Sequence, residues 1–258
     1  MTRSTDSAGQ AWEGKSIPSH GFAGDTGAGD ADLVAALEAG RASPETQDAA
    51  DETDLMARIS AARWLVPIVA VATETSETTE DGTSGLVTDT RSDMAAVTLT
   101  APDGSRALPM FTSLEALARW DASARPVPVT AAAAAQSAIS ESCDVLVVDV
   151  GSAHATALRP SMLWALAQDR SWLPSHEDSH VAAAVLSAVR EEPLVVAHRL
   201  EAGEPAGSGV LRVVLTLEAG LDAETVTAVA TRVGERLATD GETRARIDSL
   251  TFALETAP

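Results

Sequence analysis

Residues 94–120 read "MAAVTLTAPDGSRALPMFTSLEALARW", and this stretch decides the fold of the first half of the chain. Residues 94–101 read as a strand, "PDGS" as a turn and "RALPMF" as the return strand, because Asp-Gly between apolar runs is a hairpin signal. "TSLEALARW" then starts a helix. Thr112 stands at the N-cap with Glu115 three residues later. That is the capping-box spacing, in which the Thr hydroxyl accepts from the third helical N–H and the carboxylate returns to the cap N–H. Phe111, just before the cap, can staple the first turn. A second reading of the corner is an anion or a peptide terminus held by the helix N–H groups. Phe111, Thr112, Ser113, Trp120 and Arg125 are the residues such a partner or ligand surface would use.

Upstream, "DADLVAALEAG" reads as a short helix, opened by Asp30 or Asp32 and ended by Gly40. "PETQDAADETDLMARISAA" is a second helix, acidic at its start, with Leu55, Met56 and Ile59 at apolar spacing. "RWLVPIVAVA" is a buried strand, and Pro67, which cannot donate to a ladder, argues for an edge or a bulge. Residues 1–29 are polar and Gly-rich and are expected to be disordered. The glycines of "HGFAGDTGAGD" follow no strand and precede no Lys-Ser/Thr, which argues against a phosphate loop. Residues 73–92 are expected to form an exposed, mobile loop.

Downstream, "ARPVPV" is extended because each proline disfavours helix in the residue before it. A helix over 131–141, a buried strand "DVLVVDV", a strand "ATALR" and a helix opened by Pro160 follow. From residue 179 the order is helix, strand, strand, helix, strand. Leu211, Val213, Leu215 and Leu217 line one strand face at period two. The helix capped by Asp222 and closed by Gly241 carries Val226, Val229, Val233 and Leu237 on one side. The fold class is α+β: a mixed-sheet N-terminal domain over 30–173 with flanking helices, a linker over 174–178, and a small α-β-β-α-β domain over 179–258.

The 258 residues carry a net charge of −20, and every basic residue but Lys15 is arginine. Nucleic-acid binding needs a basic patch to displace counterions from phosphates, and here arginine is scattered and outnumbered. Nucleic acid and an anionic membrane surface are therefore disfavoured as partners. The single cysteine, Cys143, excludes an internal disulfide and fits a reducing cytoplasm. "WLVPIVAVA" is far shorter than the ~20 apolar residues that span a bilayer, and the N-terminus lacks the apolar core of a signal peptide. The expectation is a soluble, cytoplasmic, acidic bacterial protein.

Five stretches in this order, "ARWLVPIVAV", the opening stretch, "ARPVPV", "VLVVDVGSA" and "LRPSMLWALAQDRSWLP", resemble the SseB family, named for enhanced serine sensitivity. The resemblance covers roughly residues 31–173 and is to the N-terminal domain in its high-GC bacterial form. The Asp-Gly turn followed by Leu-Pro-x-Phe-Thr-Ser is its most specific part. Many relatives have a proline after the Asp that ends the central strand; here Asp149 is followed by Val150-Gly151-Ser152. By element order alone, residues 179–254 resemble the family's C-terminal domain. The resemblance implies an α+β fold and no established catalytic residues.

The sharpest enzyme signal is "HEDSH", in which His176, Glu177 and His180 match H-E-x-x-H. In a zinc hydrolase both histidines face one side of a helix and the Glu activates water. Pro174 instead places the motif at a linker or first helical turn, Asp178 is charged where that helix is normally apolar, and Ala183 and Leu186 replace the longer continuation. Glu201 or Glu204 would have to serve as a remote ligand. Asp178 or Ser179 as an N-cap explains the stretch without metal. Cys143 reads as a buried inert thiol, and His198 as a structural histidine on the face of Leu194, Val196 and Leu200. Trp64, Trp120, Trp164 and Trp172 read as core or seam anchors. The expectation is a non-catalytic regulatory protein, with no cofactor, that binds an unknown protein or itself. The alternatives are a zinc hydrolase, or a small-molecule sensor with a pocket near Phe111–Ser113 and Arg125.

Overall fold

The computed structural model describes residues 21–22, 24–42, 49–72, 92–102 and 104–257. The loop expected over 73–92, apart from Ser92, and the disorder expected over residues 1–20 fall outside the described residues.

The strand expected over 94–101 is two strands. β2 (Ser92–Ala96) runs antiparallel to β1 (Arg63–Ala72), and β3 (Leu99–Thr100) runs antiparallel to β4 (Arg106–Met110). Val97 and Thr98 carry the chain from one sheet to the other. Apolar alternation marks extended backbone but not its neighbour, so the two partners could not be told apart.

β1 is the central strand of the first sheet, in the order β2-β1-β5 with β5 at Arg125–Thr130. The edge position expected from Pro67 is therefore corrected. The Pro67 carbonyl accepts from Val97 N–H at 3.1 Å, just past the end of β2. A residue's N–H and C=O point to the same side of a strand, so the missing donor falls on the last rung. On the other side Pro67 faces Pro126.

The second sheet has the order β3-β4-β6-β7, with β6 at Val145–Val148 and β7 at Thr156–Leu158. β4 and β6 are parallel, joined through α3 (Leu114–Trp120), β5 and α4 (Ala131–Ser140). Leu65 and Phe111 exchange two backbone hydrogen bonds of 2.9 Å and stitch this sheet to β1. α4 buries Ala131, Ala134, Ala135 and Ala138, spaced as one helical face, and their small side chains let it lie close to the sheet. Trp64, Leu108, Met110 and Leu146 fill the core with Ile59 of α2 (Ala49–Ala61), Leu33 and Leu37 of α1 (Ala31–Ala42), and Leu163 of α5 (Pro160–Ala167).

Residues 24–29, expected within the disordered segment, are built in. Arg63 donates to the Ala28 carbonyl at 2.7 Å and pairs with Asp25 at 2.9 Å, and Gly27 C=O accepts from Leu114 N–H at 2.8 Å. Gly27 has φ +76° and no room for a Cβ, which would overlap the Leu114 side chain. Gly40 does not end α1, which continues to Ala42.

The C-terminal part builds a separate core. α6 (Ser179–Arg190) and α7 (Ala223–Thr239) cover one face of a three-stranded sheet ordered β10-β9-β8. β8 is Val195–Ala202, β9 is Val210–Leu217 and β10 is Ser249–Thr256; β9 is antiparallel to β8 and parallel to β10. Leu211, Val213, Leu215 and Leu217 are all buried, as their spacing required. Gly241 does not close α7. Asp240 ends it and caps a further helix, α8 (Gly241–Ala245), accepting from Thr243 N–H at 2.9 Å. A bulge between Val195 and Ala197 turns Val196 outward, 60% exposed, so Val196 does not share the face of His198 and Leu200. Among the described residues no helix is long and apolar enough to cross a membrane. The fold is α+β.

Candidate functional site

Carboxyl ends of parallel strands are where open α/β sheets place ligands. Thr112 lies just beyond β4 and Asp149 just beyond β6. Asp149 is fully buried, and its φ of +46° is left-handed backbone, which aspartate tolerates better than most residues. Its N–H continues the ladder to the Met110 carbonyl at 2.9 Å. Its side chain turns back on Thr112: Oδ1 accepts the Thr112 N–H at 2.8 Å and Oδ2 accepts the Thr112 hydroxyl at 2.7 Å. His154 Nε2 lies 2.9 Å from the same Oδ2, and its Nδ1 lies 3.8 Å from Glu38 of α1.

This geometry corrects the expected capping box. The N-cap of α3 is Ser113, whose Oγ accepts from Ala116 N–H at 3.0 Å. Glu115 reaches Arg119 at 3.3 Å in an exposed pair instead of returning to the cap. Thr112 is withdrawn from capping because the buried Asp149 carboxylate takes both its N–H and its hydroxyl. Two of the donors that the anion reading of the corner would use are already engaged, Leu114 N–H by Gly27 and Ala116 N–H by Ser113.

Phe111 is fully buried and packs on Trp120 with ring centroids 5.3 Å apart. Thr112 is buried and Ser113 partly so, whereas Arg125 is exposed at the start of β5. The expected surface is thus mostly interior: Phe111, Thr112 and Trp120 come together, and Arg125 stands apart on the sheet edge of β5. Asp149 and His154 were not foreseen as partners. The one available signal was a lone acidic residue ending the apolar run "VLVVD". Chemically, the arrangement locks two strand ends. A hydroxyl nucleophile needs a base that takes its proton and is itself oriented by a third group. Here the hydroxyl and the imidazole converge on one carboxylate oxygen.

A second constellation joins the two parts of the chain. Arg159, the residue before α5, donates to Glu52 of α2 at 2.8 and 3.2 Å, to Asp248 at 3.0 Å and to the Gly207 carbonyl at 2.6 Å. Burial opposes the guanidinium charge, but Glu52 and Asp248 more than offset it and raise the pKa further. Asp248 also accepts Ser161 N–H at 2.7 Å and its hydroxyl at 2.8 Å, and Trp172 Nε1 donates to that hydroxyl at 3.0 Å. Gly209, at φ +76°, brings its backbone so close that a Cβ would meet Arg159 and Asp248 at 2.6 Å. Beside it, Arg170 and Arg246 flank the Trp164 ring at 5.5 and 5.0 Å. Trp164 and Trp172 are the seam anchors and Trp64 the core anchor that the sequence suggested.

"HEDSH" belongs to this seam and is not a mid-helix motif. Glu177 and Asp178 N–H both turn back to the Pro174 carbonyl, and Asp178 caps α6 by accepting His180 N–H at 2.8 Å. His176 lines a cavity of about 40 Å³ with Arg159 and Trp172. His180 turns away to Thr243 at 3.2 Å and Asp240 at 3.5 Å. The two histidines therefore diverge, and among the described residues no three His, Cys, Asp or Glu side chains gather as a metal-holding group. Cys143 is buried, and burial pushes its thiol pKa up.

Among known proteins, no curated protein and no solved structure matches this chain. A protein-family model does: the SseB protein N-terminal domain matches residues 33–165. The match spans more than half the chain and runs from α1 through both parallel strands to α5, taking in Thr112, Asp149 and Arg159. With its N-terminal fold matched over that length, this chain belongs to the SseB family.

Proposed function

We propose that the chain is a non-catalytic, regulatory protein that works by binding another protein or a second copy of itself. The observation that carries this reading is the edge of β10, which among the described residues pairs with β9 alone. An edge strand presents unpaired N–H and C=O groups, and proteins guard such edges with bulges, charges or proline. β8, the opposite edge, has all but the proline: a bulge at Val196, with Arg199 and Glu201 beyond it. β10 runs for eight residues without bulge or proline, and its single charge, Glu255, is held by Arg199 at 2.7 and 2.8 Å. An unguarded strand of this kind suits recognition by strand addition.

The non-catalytic part is supported by how the buried polar groups are used. Thr112 and His154 both bond Asp149, and Arg159 and Ser161 both bond Asp248 at the seam. The setting we propose is the cytoplasm, where a buried free thiol such as Cys143 stays reduced. With a net charge of −20, neither nucleic acid nor an anionic membrane is the proposed partner. The test is affinity capture of the full chain from its native cell with mass spectrometry of what co-elutes, run beside Thr251→Lys. The expected result is a protein recovered by the wild type and lost with the lysine at the β10 edge. Equal recovery by both baits, or by an unrelated acidic control, would reject the reading.

A further inference from the structure

We infer that β10 pairs antiparallel with β10 of a second copy, about a two-fold axis at Phe252, joining two three-stranded sheets into one of six. This rests on the protein-binding reading above and commits it to one occupant.

The register follows from the faces. Opposite residues in an antiparallel pair point to the same side of the sheet. A two-fold axis perpendicular to the sheet keeps each face on its own side, so only residues of one face may oppose each other. Centred on Phe252, the pairing sets Leu250 against Leu254 and Leu254 against Leu250 on the helix-covered face. On the other face it sets Thr251 against Ala253 and Ser249 against Glu255. That the first row belongs to the helix side is fixed by β9, where Leu250, Phe252 and Leu254 stand beside Leu211, Val213 and Leu215.

Three observations favour a second copy over a foreign strand. The apolar row Leu250, Phe252, Leu254 reads alike in both directions, so the strand complements itself. Within that row Leu250 and Phe252 already pack on the core, while Leu254 is 43% exposed; the second copy's Leu250 would cover it. The third observation is charge. Two chains of −20 repel, yet this pairing sets no two like charges opposite each other, because Glu255 meets Ser249 and is already neutralised by Arg199. A strand pair of this length buries less than the ~800 Å² per partner of a standard interface, so the affinity expected is on the order of 10 μM.

The test is light scattering of the full chain over a concentration series to ~100 μM, ten times that dissociation constant, beside two variants. Leu254→Lys places a charge in the apolar row, and Thr251→Lys, on the exposed face, leaves that row untouched in case the first variant folds poorly. Melting curves establish that each variant is folded. The expected result is a weight-average mass that rises with concentration to about 1.8 times the monomer mass at ~100 μM for the wild type, and a monomer for every folded variant. In Thr251→Cys/Ala253→Cys, oxidation is expected to trap a covalent dimer. A wild type that stays monomeric, or a dimer that survives both lysines, would overturn the inference. A monomer that still captures another protein through β10 would also overturn it, while leaving the protein-binding reading standing.

Discussion

Asp149 is fully buried and accepts both the N–H and the hydroxyl of Thr112, with His154 Nε2 2.9 Å away, so each Thr112 donor is costly to remove. Thr112→Val strips the hydroxyl from a buried carboxylate and is expected to lower stability by about 2 kcal/mol, whereas Thr112→Ser should cost far less. Ser113→Ala removes the helix cap and is expected to cost about 1 kcal/mol. Urea unfolding of the three variants gives the ranking; Thr112→Val falling below Ser113→Ala in cost would mean that the cap, not Asp149, dominates the corner. The sequence showed two hydroxyls before a helix and offered the local bond first, since a capping box is visible within four residues. It could not show that Asp149, 37 positions away, competes for the same hydroxyl. Gly27 was equally opaque, because the Leu114 side chain that leaves it no room for a Cβ comes close only once α3 is in place.

The link from α6 to β8 is held by Glu192. Its carboxylate, almost fully buried, accepts from Arg232 at 2.7 and 3.0 Å and from Arg236 at 2.6 Å, fastening the end of α6 to α7. The Arg232 hydrogen bonds, aided by Arg236, outweigh the opposing effect of burial and hold its pKa below the usual glutamate value. A carboxyl depressed in the folded state contributes stability that is complete above its unfolded pKa, about 4.3, and lost as pH falls through the folded value. Glu192→Gln is therefore expected to cost about 2 kcal/mol at neutral pH, below the figure for a fully buried pair because the arginines are partly exposed. The gap to wild type should shrink as pH drops below about 4; denaturant melts at pH 7 and 3.5 measure it, and a constant gap would remove the ionised carboxylate as its cause. At this scale the sequence was most legible. The row from Leu211 to Leu217 and the helix row Val229, Val233, Leu237 were read correctly, because one buried face imposes one period. The errors fell where an element has two partners, as at Pro67 and the break after Ala96, since periodicity records burial and not adjacency.

Across the whole molecule the most consequential contact is Arg159, inside the family-matched region, with its partner Asp248 far outside it. Arg159→Leu would leave Glu52 and Asp248 facing each other in the seam without their shared cation, at a cost of about 3 kcal/mol. Arg159→Lys keeps the charge but loses the fork and should fall between; urea melts rank the three proteins, and an unperturbed Arg159→Leu would show the seam held by packing alone. The placement of the aromatic residues then governs how such melts can be watched. Tyrosine is absent, and no tryptophan lies beyond Trp172. The C-terminal core is therefore dark in intrinsic fluorescence. Trp164, with Arg170 and Arg246 at 5.5 and 5.0 Å from its ring, and Trp172, with Arg159 at 5.3 Å, emit from the seam itself. Circular dichroism sees α6 and α7 directly. A seam that parts before either core melts would change emission while leaving ellipticity untouched, and two traces that superimpose would mean that both cores melt as a single cooperative unit.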